Sequence, residues 1–287
     1  MGLGLRTNLI SLDSQRYLKH TTSRIGQTFE RLSSGMRINR SSDDAAGLGI
    51  AEGLRGDARV ASISIRNANE GISMISIADG TLQQISNILN RLVELAQQSA
   101  SGVYTNEQRS AIQHEYLALT SEVERMAIAT EFNGFKLLSA GDTVSFQVGF
   151  DGTSISSVVF SGVQATLGQL GLAEVGSSVL IYSLIGATEL ESLSASRLAI
   201  EAIKLAASGL SRSRGALGAA QSRLETTIRN LEVIRESMQA TASVILDADM
   251  AEESSELARL TIQQQAGAAM LAQANLQPRM VLELLRD

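Results

Sequence analysis

Ala78-Asp-Gly-Thr-Leu82-Gln-Gln-Ile85-Ser-Asn-Ile-Leu89-Asn-Arg-Leu92-Val-Glu-Leu-Ala96 steps its apolar residues in alternating fours and threes. That spacing marks the seam of a helix packed lengthwise on other helices. Upstream the pattern runs through Ala58, Ala61, Ile65, Ala68, Ile72 and Ile75, with one three-residue slip at Ala78. Such a slip changes local winding without ending a helix. Taken from Asp44 to Ser99, at ~1.5 Å per residue, the helix is about 80 Å long. Compact globules rarely hold a helix of that length.

Working outward, Gly102 reads as a stop, and Thr105-Asn-Glu-Gln108 has the form of a capping box. The next seam is Ile112, Tyr116, Leu119, Val123, Met126 and Thr130, closed by an Asn133-Gly134 turn. Two such helices form an antiparallel hairpin. From Val144 to Phe160 the period falls to two. Val144, Phe146, Val148 and Phe150 alternate with small or polar residues, Asp151-Gly152 predicts a tight turn, and Ile155 to Phe160 returns. Further turns or short strands are expected up to Gly186. Thr188-Glu-Leu-Glu191 is a second capping box, opening a helix with seam Ile200, Ile203, Ala207, Leu210, Leu217, Leu224, Leu231, Met238 and Ile245. Arg214, Gln221 and Arg235 interrupt that seam, and polar seam residues fix register at a cost in packing.

The chain ends are also helix-patterned. Leu18, Ile25, Phe29 and Leu32 share a face, and a connector from Ser33 to Asp44 offers Ser42 or Asp43 as N-cap for the long helix. After Asp247-Ala-Asp249 a helix rich in small residues runs from Met250 to Asn275, with its end expected near Pro278. Residues 1–40 carry seven Arg or Lys against two acids; residues 246–287 carry seven acids against three Arg. The two ends therefore read as complementary halves of one coiled coil. The predicted fold is mainly α, a long antiparallel helical bundle or coiled coil with a small β-hairpin element.

Composition supports this and excludes several functions. Aromatic residues are 3% of the 287, with no Trp, one Pro and no Cys. Long helices packed through small aliphatic seams suit such a chain, and thiolate chemistry or disulfides do not. A net charge of −6 argues against a nucleic-acid partner. No apolar run reaches the ~18–20 residues of a membrane span, and the N-terminus lacks the basic and apolar regions of a cleaved signal peptide. His20 and His114 have no ligand spacing, so no metal or other cofactor is expected. Asp43-Asp44 and the Asp247, Asp249, Glu252, Glu253 cluster read as helix-start acids rather than catalytic carboxylates. Gly2-Leu-Gly4 lacks the strand and third glycine of a phosphate loop. Asn39-Arg-Ser41 is a sequon by pattern, and the serines of 153–161 are candidates for O-linked sugar. No constellation supports an enzyme.

Several stretches resemble bacterial flagellin. They are Leu32-Ser-Ser-Gly-Met-Arg-Ile-Asn39, Asp43-Asp-Ala-Ala-Gly-Leu48, Arg66-Asn-Ala-Asn-Glu-Gly-Ile72, Glu94-Leu-Ala-Gln-Gln-Ser-Ala100 and Glu131-Phe-Asn-Gly134. Asp247-Ala-Asp-Met-Ala-Glu252 and Gln264-Gln-Ala-Gly-Ala-Ala-Met-Leu-Ala-Gln-Ala-Asn275, with Pro278 and Leu284-Leu285, resemble its other end. The likeness covers roughly residues 5–140 and 195–287. Arg6, Gly49 and Leu246 depart from the residues usual in that family.

The resemblance implies a secreted structural subunit that polymerises with itself into the flagellar filament, exported without a cleaved signal peptide and partnered by hook-associated and cap proteins. An export chaperone would hold the C-terminal helix. Residues 1–43 with 246–287 would form an inner core domain, and 44–245 an outer helical domain with its β-hairpin region at about 141–187. Assembly contacts are expected from Leu18, Ile25, Phe29, Leu32, Leu257, Leu260, Ala268, Leu271, Ala272, Leu284 and Leu285. Small residues from Ala266 to Ala274 would let helices approach closely. Recognition by Toll-like receptor 5 would map to Asn90, Arg91, Glu94, Leu95 and Glu115, residues that subunit contacts could equally use. The alternatives are a hook–filament junction protein and an injected coiled-coil effector.

Overall fold

The computed structural model describes residues 8–174, 180–185 and 188–284. The sequence positions Gly2, Gly4, Arg6, Gly186 and Leu285 lie outside that range. Chain order is α1 (Leu9–Ser34), α2 (Ala45–Ser99), α3 (Asn106–Ala129), β1 (Glu131–Phe132), β2 (Phe135–Lys136), β3 (Thr143–Gln147), β4 (Ser157–Ser161), α4 (Glu189–Leu246) and α5 (Met250–Leu284). The chain divides into two compact units. One joins Met1–Ala58 with Glu236–Asp287, and the other is Arg59–Arg235.

In the unit spanning 59–235, α2, α3 and α4 pack as an antiparallel bundle. The direction is set by contacts that run in reverse order: Arg91 with Glu115 and Thr81 with Thr130 across α2 and α3, Ser99 with Ser196 and Asp79 with Arg214 across α2 and α4. The seam read from the sequence is the core. Ile75, Leu82, Ile85, Leu89 and Leu92 of α2 meet Tyr116 and Val123 of α3 and Ile203, Leu210, Leu217 and Leu224 of α4, all buried in one cluster. Ala78, at the slip, is fully buried and α2 passes through it unbroken. Gly71 is part of that packing, since a Cβ there would lie 3.1 Å from Leu224 Cδ1 and 3.2 Å from Phe146 Cδ2. Arg214 interrupts the apolar seam by bonding Asp79 at 2.7 Å and the Gln83 side chain, which pins α4 to α2 at one register.

Both capping boxes form. Thr105 and Gln108 exchange bonds at 3.1 and 3.4 Å, and Thr188 and Glu191 exchange two at 3.2 Å. The long helix is capped differently from expectation. Asp44 accepts from the Gly47 N–H at 2.9 Å, while Asp43 turns back to the N–H groups of Asn39 and Arg40. A side chain at residue 47 would overlap the Asp44 carboxylate, so glycine allows the close cap.

Asn133 and Gly134 both take positive φ, 49° and 82°, and join β1 to β2 as a two-residue hairpin. The larger hairpin pairs β3 with β4, with Val144 opposite Phe160 and Phe146 opposite Val158. The tight turn expected at Asp151-Gly152 is instead a long loop. Gly152 does not take the positive φ a type I′ turn needs, and Asp151 bonds the hydroxyls of Thr153 and Ser156. Those two bonds hold the Asp151 carboxyl below its ordinary range. Of the stretch up to residue 185, Leu167, Leu172 and Leu184 are buried. Glu124 and Gln113 of α3 fix this segment by accepting from Leu167 N at 2.7 Å and Leu184 N at 2.8 Å.

α5 does not end near Pro278 but continues to Leu284. Proline removes one N–H from the ladder at that point without ending the helix. At the end of α4, Leu246 rather than Ile245 is the buried residue, at 1% exposure.

Candidate assembly and recognition surfaces

α1 and α5 pair antiparallel. Asn8 caps α1 by accepting from Ser11 N at 3.0 Å, and its amide donates to Ala274 O at 2.8 Å. Ser11 donates to Asn275 at 2.8 Å, Gln264 to Thr22 at 3.3 Å, and two ion pairs follow, Arg24–Glu256 at 2.7 Å and Arg31–Glu253 at 3.0 Å. The opposite charges of the two ends thus meet. Arg259 bonds the Glu256 carboxylate, and with Arg24 nearby it holds Glu256 below the ordinary carboxylate range. Water and salt screen such surface pairs, so they contribute little to stability.

The facing stripes are heptads. α1 turns Ser11, Leu18, Ile25 and Leu32 inward at sevens, with Ser14, Thr21 and Thr28 between; α5 turns in Glu253, Leu260, Gly267 and Ala274, with Leu257, Gln264 and Leu271 between. Gly267 lies against Leu18, whose Cδ1 would sit 3.5 Å from an added Cβ. Three residues expected to make assembly contacts lie off this intramolecular seam. Phe29 is 57% exposed, because Thr28, one step around the helix, takes the heptad position. Ala268 and Ala272 are exposed as well, each one residue past an inward position, so close approach to α1 rests on Gly267 and Ala274. Leu284 closes α5, while Leu285 lies outside the described residues.

Outside the seam, α1 exposes Leu9, Ile10, Leu12, Tyr17 and Phe29, and α5 exposes Ile262, Met270 and Leu276. Exposed apolar side chains at this density along two helices mark an interaction surface.

On the other unit, Arg91 donates to Glu115 at 3.0 and 2.8 Å and to Glu94 at 3.0 Å. Glu94 and Glu115 raise the Arg91 pKa above its ordinary value. Asn90, Arg91, Glu94 and Glu115 are all exposed. Leu95 is not part of that surface. It is 1% exposed, inside the bundle core beside Leu92 and Ala96. A residue four positions from Arg91 lies on an adjacent line of the helix, and here that line already faces α3 and α4.

Among the described residues no three His, Asp or Glu side chains are grouped to hold a metal, and no helix is long and apolar enough to cross a membrane. The interactions that periodicity could not have signalled are side chain to backbone: Asn8 to Ala274, Glu124 to Leu167 and Gln113 to Leu184.

Helices of this length, with paired chain ends and an exposed apolar face, define an α-helical protein built for lengthwise packing. Residues 5–143 match the bacterial flagellin N-terminal helical region, and residues 200–285 match the bacterial flagellin C-terminal helical region. The chain is 39% identical over 280 residues to the flagellin of Halalkalibacterium halodurans, covering 97% of this chain and 98% of that one. It is 38% identical to the flagellin of Bacillus subtilis over 302 residues, and 36% identical over 285 residues to the flagellar filament 31.3 kDa core protein of Treponema maltophilum. In both of these the match again covers 97% of this chain and 98% of the relative. The chain belongs to the bacterial flagellin family.

Proposed function

We propose that this chain is the repeating subunit of a flagellar filament and serves swimming motility by polymerising with copies of itself. The observation that carries the reading is the row of exposed apolar side chains on α1 and α5, from Leu9 to Phe29 and from Ile262 to Leu276. Such side chains gain about 25 cal/mol for each Å² removed from water, and neighbouring copies supply the covering surface. The relatives named flagellin and filament core protein support this over a hook–filament junction role. Residues 1–43 with 246–287 act as an inner domain that gains order on polymerisation, and 44–245 as an outer one. Export to the flagellum, chaperone binding at the C-terminal helix, and contact with hook-associated and cap proteins belong to the same reading. Adding the purified chain to filament seeds tests it. A filament subunit extends seeds indefinitely; a junction protein adds once and stops.

Recognition of the free subunit by Toll-like receptor 5 is a second part of this proposal. The exposed cluster of Asn90, Arg91, Glu94 and Glu115 supports it, with buried Leu95 acting only as support from beneath. Receptor-bearing cells that fail to respond to purified subunit would remove this part alone.

A further inference from the structure

The two connectors that lead into the terminal helices are themselves joined. The Ala248 N–H donates to Gly35 O at 2.9 Å, the Arg37 N–H donates to Leu246 O at 2.6 Å, and Met36 faces Asp247 in an antiparallel bridge. The Arg37 guanidinium adds a bond to Ile245 O at 2.8 Å. Leu246 O and Ile245 O are among the last carbonyls of α4, which no donor of the same helix can reach. The first connector therefore caps α4 from a distant part of the chain. Beneath the bridge Ile38, Ala51 and Leu246 are buried together, with Leu48 and Ile245 packed against them.

Each connector is also fixed to its own terminal helix. Asn39 donates to Glu30 O at 3.2 Å and to Ser34 Oγ at 2.8 Å, and Arg40 pairs with Glu30 at 2.9 Å. On the other side Asp249 caps α5 by accepting from Ala251 N at 2.8 Å and Glu252 N at 3.2 Å. The α1–α5 seam between them is weak, its buried members among the described residues being Ser11, Thr28, Leu260 and Ala274. A seam of that kind needs its register and proximity set from one end. Closing the bridge does this, because it turns the meeting of two free chain ends into an intramolecular step of high effective concentration.

We propose that the Gly35–Ile38 and Leu246–Ala248 bridge is a clasp that makes α1 and α5 order and loosen as one element. This is a property of a single chain and stands whether or not copies of it associate. Met36 and Asp247 form a pair flanked by, rather than sharing, the bridge hydrogen bonds, the closer of the two antiparallel pair types. The chain has no cysteine of its own, so the double substitution Met36→Cys with Asp247→Cys gives an unambiguous lock on mild oxidation. The opposite variant is Arg37→Pro, which removes both the backbone and the guanidinium donor. Hydrogen exchange is then compared between the oxidised lock and the Arg37→Pro chain, both full length. Exchange is expected to be about ten-fold slower or more in the lock, in α1 and in α5 alike, with residues 68–96 unchanged. The clasp is wrong if the disulfide does not form, if both chains exchange alike, or if only one helix responds. An equal change at residues 68–96 also overturns it, because the effect would then be global.

Discussion

The bundle of residues 59–235 and the pair formed by α1 and α5 use the same heptad spacing to opposite ends. In the bundle most seam positions are large aliphatic residues and are enclosed, as at Leu82, Leu89 and Leu224. In the terminal pair the inward positions mix Leu and Ile with Ser, Thr, Gly, Ala and polar residues, while the large residues Leu9, Tyr17, Phe29 and Ile262 face outward. Period alone sets which residues face a partner helix. Residue size at those positions sets whether the partner suffices, and in α1 and α5 a second set of large apolar side chains lies outside the seam, where another molecule can cover it.

The comparison breaks first at the core. Leu89→Ala is expected to cost ~2–5 kcal/mol by leaving a cavity in the bundle, read by chemical denaturation. Leu260→Ala in the terminal pair should leave that transition within error and instead slow seed elongation. If the two substitutions shifted the same transition equally, the units would not differ as described. A smaller effect, ~1 kcal/mol, is expected for Thr105→Ala, which deletes the hydroxyl of the α3 capping box. Thr105→Ser should restore it.

Tyr116 sharpens the contrast from the alkaline side. It is fully buried in the bundle, its hydroxyl has no hydrogen-bond partner among the described residues, and burial pushes its pKa up to about 12. The folded state therefore holds the proton more tightly than the unfolded chain, where tyrosine ionises near ~10. Stability is intact below pH ~10 and declines as pH rises from there towards about 12. Tyr116→Phe should remove that decline and change stability at neutral pH by no more than ~1 kcal/mol. A Tyr116→Phe chain that still lost stability over the same range would shift the cause elsewhere. The smallest effect is acidic and belongs to the terminal pair. Glu256 is held below its ordinary range in the folded state, so its contribution is present above the unfolded carboxylate pKa. That contribution is lost as pH falls through the folded one. Glu256→Gln should flatten this acid dependence in α5 hydrogen exchange while leaving residues 68–96 untouched.

Much of this was legible in the sequence because the bundle obeys local rules. The α2 seam, both capping boxes, the Asn133-Gly134 turn and the β3–β4 alternation are repeats or motifs a few residues long. What was not legible depends on competition between neighbours. Asp44 caps α2 only because Asp43 is occupied by Asn39 and Arg40. Phe29 looks inward by hydrophobicity, yet Thr28 holds the heptad position. Leu95 shares a helix turn with exposed Arg91 and still belongs to the core, since two helices rather than one pack on α2 there. The segment around Leu167 and Leu184 has no period, and its order comes from Glu124 and Gln113 on a distant helix.

The central claim is that copies of this chain cover the outward faces of α1 and α5. Hydrogen exchange on the free subunit and on the seeded filament, resolved by segment, tests it most directly. The account predicts that protection gained on assembly concentrates in residues 9–34 and 250–276, with little change at the bundle core around residues 75–96. A free subunit whose terminal helices were already as protected as in the filament, or a gain confined to the bundle, would contradict it.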